Sequence, residues 1–264
     1  MRTAGGNLTA GGAAAAWVST VASLMAVRSQ RLCGTAVYQA VIGYGTLWYQ
    51  ALARATSGES GAAVTAVADD AAPTDIDPFR RRLLDGLAAS IGEHGYRATT
   101  VADIVRHART SKRTFYDQFA SKEQCFLELL RADTERLSEE IRAAVDPEAD
   151  WHDQIRQAVE AYVDSIESRP AITLSWIREL PSLGAAARPV QRRGLELLTD
   201  LLVDLSGSPG FQRAGLPALT PPLAVILIGG LRELTALAVE DGHDIRRIVK
   251  PAFDASVALL GPRH

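Results

Sequence analysis

The chain has 264 residues, 47% hydrophobic and 22% charged, with a formal net charge of −3. This is ordinary globular composition and excludes wholesale disorder, a collagen helix and a coiled-coil rod. No uninterrupted run of about 18 strongly apolar residues is evident, so no clear transmembrane helix is expected. Two cysteines, Cys33 and Cys125, are too few for a disulfide framework and match no metal spacing. That fits a reducing, cytoplasmic compartment.

Charge is unevenly placed. Residues 1–76 carry net charge 0, residues 77–130 carry +2 and residues 131–264 carry −5. A small basic segment before a larger acidic one has the polarity of a nucleic-acid module followed by a regulatory module, although the asymmetry alone identifies neither. The first 76 residues read differently from the rest. No charge falls between Thr3 and Val27, and the stretch is mostly small residues. A signal peptide would need a basic start, a compact apolar core and a small-residue cleavage site, and only Arg2 supplies the first. A weakly membrane-associated segment around Ala36–Leu52 is a second reading. A poorly ordered extension is the third, and the favoured one. Ala62–Asp77 is small, acidic and broken by Pro73, as a linker would be.

From Pro78 onward the pattern is helical with short breaks, and no convincing strand-like alternation or internal repeat occurs. Helices are expected at 78–94, 101–108, 112–119, 122–145, 151–168, 170–180, 188–206, 221–240 and 244–260. The first gathers Leu84, Leu87, Ala88 and Ile91 on one face, and Gly95 suits the left-handed residue that ends it. Thr100, with Asp103 three residues on, forms a capping-box arrangement, and Val101, Ile104 and Val105 face inward behind it. After the break Arg109-Thr110-Ser111, Ser111 is the natural N-cap of a second short helix. Phe115 and Phe119, four apart, anchor that helix to the core. Ser121 caps a long helix, with Gln124 at the reciprocal position. Two short helices joined by a tight turn and packed on a third describe a helix-turn-helix, a unit that places its second short helix in the DNA major groove.

Charge placement supports that reading over an arbitrary helical corner. Cations at a helix N-terminus oppose the macrodipole by about 0.3–1 kcal/mol each. Lys112 and Arg113 nevertheless stand in the first turn of the second short helix, and Lys122 in the first turn of the long one. They make sense if an anion such as phosphate approaches those ends. Arg106, His107 and Arg109 add to the same edge, and no acid interrupts Arg106–Arg113. At 100° per residue, Arg113, Thr114 and Asp117 point away from Phe115 and Phe119, with Lys112, Tyr116 and Gln118 flanking. Exposed Arg can read guanine, Thr can touch a thymine methyl, and Tyr and Lys can hold phosphate. Asp117 fits poorly unless it accepts from a cytosine amino group or pairs with Arg113.

The spaced set Gly95-Tyr96-x-x-Thr99-Thr100-Val101-x-Asp103-Ile104, then Ser111-Lys112-Arg113-Thr114-Phe115-Tyr116-x-x-Phe119-x-Ser121-Lys122-Glu123, resembles the DNA-binding domain of the tetracycline-repressor (TetR) family. The resemblance covers roughly 80–130. It implies an all-α architecture of nine or so helices, a homodimer and a C-terminal effector-binding core. It further implies that Thr100, Tyr116 and Lys122 contact phosphate and that Lys112, Arg113 and Thr114 face the bases. Two positions depart from the family pattern. Arg109 stands where the family usually has glycine, which costs something if the turn needs positive φ, and Thr110 stands where a small apolar residue is common.

The expected organisation is therefore a low-charge extension and linker over 1–76, a three-helix DNA-binding domain over 77–122, and a larger helical effector-binding and dimerisation domain over 123–264. In the last, Pro221–Leu231 is almost wholly apolar and reads as a helix buried on most sides. Ile245, Ile248, Val249, Phe253, Val257 and Leu260 form a stripe on the final helix. The resemblance implies that helices 221–240 and 244–260 of two subunits make an intersubunit four-helix bundle. Trp151, Tyr162, Ile166, Trp176 and Leu197 are candidates to line an effector pocket. Tyr162 and Trp176 are favoured, because each has a polar handle that wants a partner. The effector is expected to be small and mostly apolar. No Walker loop, nucleophile elbow, zinc-protease pattern or paired metal ligands occur, so neither an enzyme nor a cofactor is expected. The overall reading is a cytoplasmic, dimeric, ligand-responsive regulator, a repressor by preference, on a pseudo-palindromic DNA operator. An activator, a non-responsive DNA binder and a membrane-tethered sensor using residues 13–52 are the alternatives.

Overall fold

A computed structural model describes residues 77–262. The expected extension over 1–76, including Cys33 and the Ala36–Leu52 segment, lies outside the described residues. Every regular element among them is helical.

Helix α1 (Pro78–Ala98) begins with Pro78 in its first turn and Asp77 as N-cap, whose carboxylate accepts from Phe79 N at 2.9 Å. The expected stop at Gly95 is a kink: Gly95 takes φ 76°, ψ 163°, and a last turn follows it. That turn buries Tyr96, which stacks on Phe126 at 3.8 Å between ring centroids. Thr100 caps α2 (Val101–His107) in a complete capping box with Asp103. Ser111 caps α3 (Lys112–Gln118), accepting from Thr114 N at 3.1 Å. Ser121 caps α4 (Lys122–Ala144), while Gln124 reaches one residue further back than expected and accepts from Ala120 N at 2.7 Å. These four helices enclose Leu83, Leu87, Ile91, Ile104, Phe115, Phe119, Phe126 and Leu130, all essentially inaccessible to solvent. At roughly 1.5–3 kcal/mol for each large side chain buried, this core dominates the stability of the head.

Two backbone details set how α2 and α3 sit on α1. At Gly86, an added Cβ would stand 2.6 Å from the carbonyl oxygen of Ile104 and 3.0 Å from the amide of Ala108. Only glycine lets α1 and α2 approach so closely. In the turn between α2 and α3, Arg109 adopts φ 49°, the left-handed region whose cost the sequence raised, and it is the one non-glycine residue to do so among the described residues.

The C-terminal half continues with α5 (Trp151–Ser168), α6 (Pro170–Arg178), a 3-10 helix (Leu180–Ala187), α7 (Arg188–Ser206), the short α8 (Pro209–Arg213), α9 (Pro221–Glu240), a second 3-10 helix (Ile245–Ile248) and α10 (Val249–Leu260). Three differences from expectation have local causes. The helix expected over 170–180 stops at Arg178 because Pro181 cannot donate to an α-helical ladder, and Gly184 at φ 61° then turns the chain. The helix expected over 244–260 opens as a 3-10 turn because Pro251 lacks the amide that would bond back one turn. A five-residue helix, α8, fills a stretch read as loop; it starts at Pro209 and is left through Gly215 at φ 67°.

Helix α9 departs from expectation twice. With mean hydropathy 1.7 it is, by length and composition alone, apolar enough to cross a bilayer, whereas the sequence reading found no such run. It is also less buried than read. Ala224, Leu227, Ile228, Thr235 and Ala236 face the protein against α6 and α7, but Ile226 and Leu237 are 49% and 48% exposed.

Two substitutions test these backbone constraints. Gly86→Ala is expected to lower folding stability by about 1–3 kcal/mol, the usual cost of overpacking, as a reduced urea midpoint at unchanged slope. Arg109→Gly is expected to act oppositely. Relief of the left-handed strain, about 1–2 kcal/mol, exceeds the added chain entropy of about 0.5–1 kcal/mol, so the midpoint should rise.

Candidate nucleic-acid interface and ligand cavity

Helix α3 is amphipathic in the strict sense that Phe115 is fully buried while Lys112, Arg113, Tyr116 and Asp117 are exposed and Thr114 is half-buried. Its start is electrostatically unusual. Arg106 pairs with Glu93 and Asp103 at 3.6 and 3.7 Å, whereas Arg109, Lys112 and Arg113 have no carboxylate or other side-chain partner among the described residues. Asp117, one helical turn after Arg113, does not pair with it. Three unneutralised cations therefore flank the end of α3 that carries partial positive charge already.

The other end of α3 is clamped. The Arg80 guanidinium makes two hydrogen bonds to the Glu128 carboxylate, donates to the Gln118 carbonyl at 2.7 Å and lies 4.2 Å over the Phe119 ring. The Gln118 amide donates to Asp77 at 2.7 Å. Glu128 is 48 residues from Arg80 along the chain, so no local sequence signal marks this contact.

The residues expected to hold phosphate already have structural duties. The Thr100 hydroxyl donates to Asp103 Oδ2 at 2.6 Å, and this bond, with the backbone amide of Thr100, holds the Asp103 carboxyl below its ordinary range. The Lys122 ammonium donates to the carbonyls of Thr99 at 2.8 Å and Tyr96 at 3.1 Å and lies 4.4 Å over the Tyr96 ring. It thereby caps the kinked last turn of α1. Tyr116 is 58% exposed, its ring edge-on to Phe115.

A cavity of about 150 Å³ lies within the C-terminal half, walled by residues of α4, α5, α6, α7 and α9. Of the five candidates from sequence, Tyr162 and Trp176 line it. Trp151 does not: it packs with Ile155, Phe211 and Ala252 in a cluster beneath α10. Ile166 lies with Val163, Ala238, Ile245 and Ile248 in another. Leu197 is also off the wall, because the cavity-facing stripe of α7 is Leu198, Leu201, Leu202 and Leu205, one residue out of register with it. That 3.6-residue spacing was the signal that could have placed the wall. Tyr162 donates to or accepts from Thr235 at 2.8 Å, and burial pushes its hydroxyl pKa up. Cys125 is wholly buried in the head, which raises its thiol to about 12 and leaves it unreactive.

Helix α6 touches both places. Thr173, Trp176 and Ile177 line the cavity, while Ile172 and, just past the helix, Leu180 belong to the core that α1–α4 enclose. Arg178 is bound by Glu233 at 2.9 Å and Glu240 at 2.7 Å, both on α9, and these contacts hold Glu233 below the usual carboxylate range. The next residue, Glu179, accepts from Arg97 near the end of α1 at 2.8 Å.

The comparisons with known proteins agree with this architecture. Residues 83–129 match the family model "Bacterial regulatory proteins, tetR family". The chain is 33% identical over 113 residues to the HTH-type transcriptional repressor KstR2 of Mycobacterium tuberculosis, covering 43% of this chain and 56% of that one. It is 32% identical over 91 residues to the HTH-type transcriptional activator FasR of Mycolicibacterium smegmatis, covering 34% and 42%. The chain thus spans about half the length of the curated relatives it matches. Among solved structures, it resembles FadR from Bacillus halodurans with TM-score 0.57 at 24% identity, over 71% of this chain and 97% of that one. It also resembles FadR from Bacillus subtilis, solved in complex with stearoyl-CoA, with TM-score 0.59 at 16% identity, over 69% and 99%. The capped helix-turn-helix over residues 83–129 is thus similar to the DNA-binding segment of bacterial regulatory proteins of the tetR family, and the described residues share that family's fold.

Proposed function

We propose that this protein is a cytoplasmic, ligand-responsive transcriptional repressor that reads a pseudo-palindromic DNA operator as a homodimer. The observation that carries the reading is the trio Arg109, Lys112 and Arg113, unneutralised around the start of an exposed helix whose opposite face is locked into the core. Duplex DNA supplies the missing anions. Lys112, Arg113 and Thr114 face base edges, and Thr100, Tyr116 and Lys122 face the backbone. Lys122 keeps one ammonium hydrogen beyond the two that cap α1, so it can hold the head's shape and meet a phosphate together.

Dimerisation through α9 and α10 is supported by the exposed side of α9, where Ile226, Gly229, Gly230 and Leu237 share one face. A bare glycine pair between apolar side chains lets a second backbone come close, and an exposed apolar face of this kind marks an interface. A two-fold pair would set its reading helices roughly 34–36 Å apart, one turn of DNA. The cavity is the effector site, for a small and mostly apolar molecule. The binding of stearoyl-CoA by a protein of the same fold supports this placement. Helix α6 carries the signal: a molecule that moves Trp176 moves Ile172 and Leu180 in the core of the head. A coupling of about 1–3 kcal/mol is the usual scale. The naming of one relative as an activator favours a second reading, activation from the same operator.

Selection of bound duplexes from a random pool by the full chain tests the function, with an inverted repeat as the expected product. Against that sequence, Arg113→Ala is expected to cost about 1–3 kcal/mol and to relax preference at one base pair in each half-site. Tyr116→Phe should weaken all sequences alike. Anisotropy titrations on operator and scrambled duplex separate the two effects. Equal loss of specificity from both, or no enriched repeat, would overturn the assignment. Transcription from an operator-linked reporter, with and without the protein, decides between repression and activation.

A further inference from the structure

We infer that the reading head senses protons at His107: a protonated His107 takes the carboxylate of Glu93 and releases Arg106 to the DNA, so that operator affinity rises as pH falls. This sensing rests on the reading of α1–α4 as a DNA-binding head and adds a second input beside the effector.

Four side chains meet where α1, just before its kink at Gly95, passes the end of α2. One oxygen of Glu93, Oε2, lies 3.2 Å from His107 Nε2, 3.3 Å from His94 Nε2 and 3.6 Å from Arg106 Nη2. Arg106 Nη2 in turn lies 3.1 Å from the same His107 Nε2. The imidazole of His107 is the most enclosed of the four, with 17% of its side chain exposed, whereas Arg106 is 58% exposed and reaches solvent.

The two contacts at His107 Nε2 exclude each other. An imidazole nitrogen has one in-plane site, which holds either a hydrogen or a lone pair. A guanidinium only donates, so Arg106 bonds Nε2 only when that nitrogen holds a lone pair. An ionised carboxylate only accepts, so Glu93 bonds Nε2 only when that nitrogen carries a hydrogen. A neutral ring serves one or the other by choice of tautomer. An imidazolium carries hydrogen on both nitrogens and serves Glu93 alone. Its charge also repels the guanidinium beside it. Histidine is the side chain whose ordinary titration lies between pH 5 and 8.

The surrounding charges set the direction. Helix α2 packs against α1 and α3. Helix α1 turns Glu93 and His94 to this point, and α2 itself adds Asp103 and Arg106. The turn and the start of α3 follow with Arg109, Lys112 and Arg113. His94 contacts the Glu93 carboxylate and no guanidinium among the described residues, so it faces no such choice. Asp103 is committed through Oδ2 to the hydroxyl and amide of Thr100, which hold its carboxyl below the ordinary range. Its Oδ1, at 3.7 Å, is the acid left to Arg106 once Glu93 has turned to His107. An exposed pair of that length is worth little. A DNA phosphate, drawn to an edge that already carries three further cations, outcompetes it. Because the protonated form binds DNA better, the gain is present below the histidine range and is lost as pH rises through it.

The test is anisotropy titration of the full chain on its selected operator at about pH 8 and about pH 5.5, each over a salt series. Affinity should rise at the lower pH, and the slope of log affinity against log salt should steepen by about 0.9 for each head, one further phosphate neutralised. His107→Gln, whose amide can serve either neighbour but gains no charge, should keep the high-pH affinity and slope throughout. Arg106→Gln should lose the steepening although His107 still titrates. That separates release of Arg106 from the mere charge of an imidazolium, and the change of an exposed side chain keeps the test open should His107→Gln fold poorly. His94→Gln should respond as the parent does. Parent affinity and slope that ignore pH, or a full response in His107→Gln or Arg106→Gln, would overturn the inference. An operator bound alike at both pH values removes only the proton sensing, whereas a chain that selects no operator at either removes the DNA-binding reading and this inference with it.

Discussion

Nine residues, Pro170–Arg178, tie the two working parts of this protein together. One side of α6 supplies Thr173, Trp176 and Ile177 to the cavity, and the other delivers Ile172, with Leu180 just beyond, to the core beneath the reading helix. Protein cores are close-packed, so they switch between discrete packings and do not deform continuously. In the proposed mechanism, a side chain displaced on one side of so short a helix shifts the packing on the other. Polar contacts reinforce the tie: Arg178 is held by two carboxylates of α9, and Glu179 by Arg97 at the end of α1. The ion pairs are partly exposed and individually worth little, so in the proposed mechanism the apolar contacts of α6 bear most of the coupling.

The reading head shows what stability alone would not select. Its reading helix begins with two cations against the helix dipole, and the turn before it holds an arginine in left-handed conformation. Each feature costs folding energy, and strain of that kind persists where function needs it. The cost is carried by a rigid base. Arg80 fixes the C-terminal end of α3, Gly86 permits the close approach of α1 and α2, and Lys122 closes the kink at Gly95. The exposed cations are thereby presented on a helix that has little freedom to move.

Local features of this architecture were legible in the residues. Caps such as Thr100 with Asp103, and the left-handed demand on Gly95 and Arg109, depend on neighbours within four positions, so the sequence contains all that determines them. The spacing of Phe115 and Phe119 fixes which face of α3 is buried for the same reason. Contacts between distant segments were not legible. Nothing near Arg80 announces Glu128, and nothing near Gly86 announces the carbonyl of Ile104. The cavity was half legible. Tyr162 and Trp176 stand out because large side chains with polar atoms need partners. Trp151 and Ile166 lie in clusters that close around them, and Leu197 misses the wall because one residue is 100° of helix. Helix α9 misled in the other direction, since a run apolar enough for full burial leaves Ile226 and Leu237 half exposed, a face that serves a second subunit in the proposed dimer.

The most direct test of coupling through α6 is the affinity for an operator duplex when the cavity is filled by the protein itself. Ala158, half-buried on α5 and part of the cavity wall, can be replaced by phenylalanine without touching the head. Coupling predicts that Ala158→Phe binds the operator about 5–150-fold more weakly, with a melting temperature at or above that of the parent. Operator affinity equal to the parent's, in a variant whose helical content and melting temperature match or exceed the parent's, would contradict it.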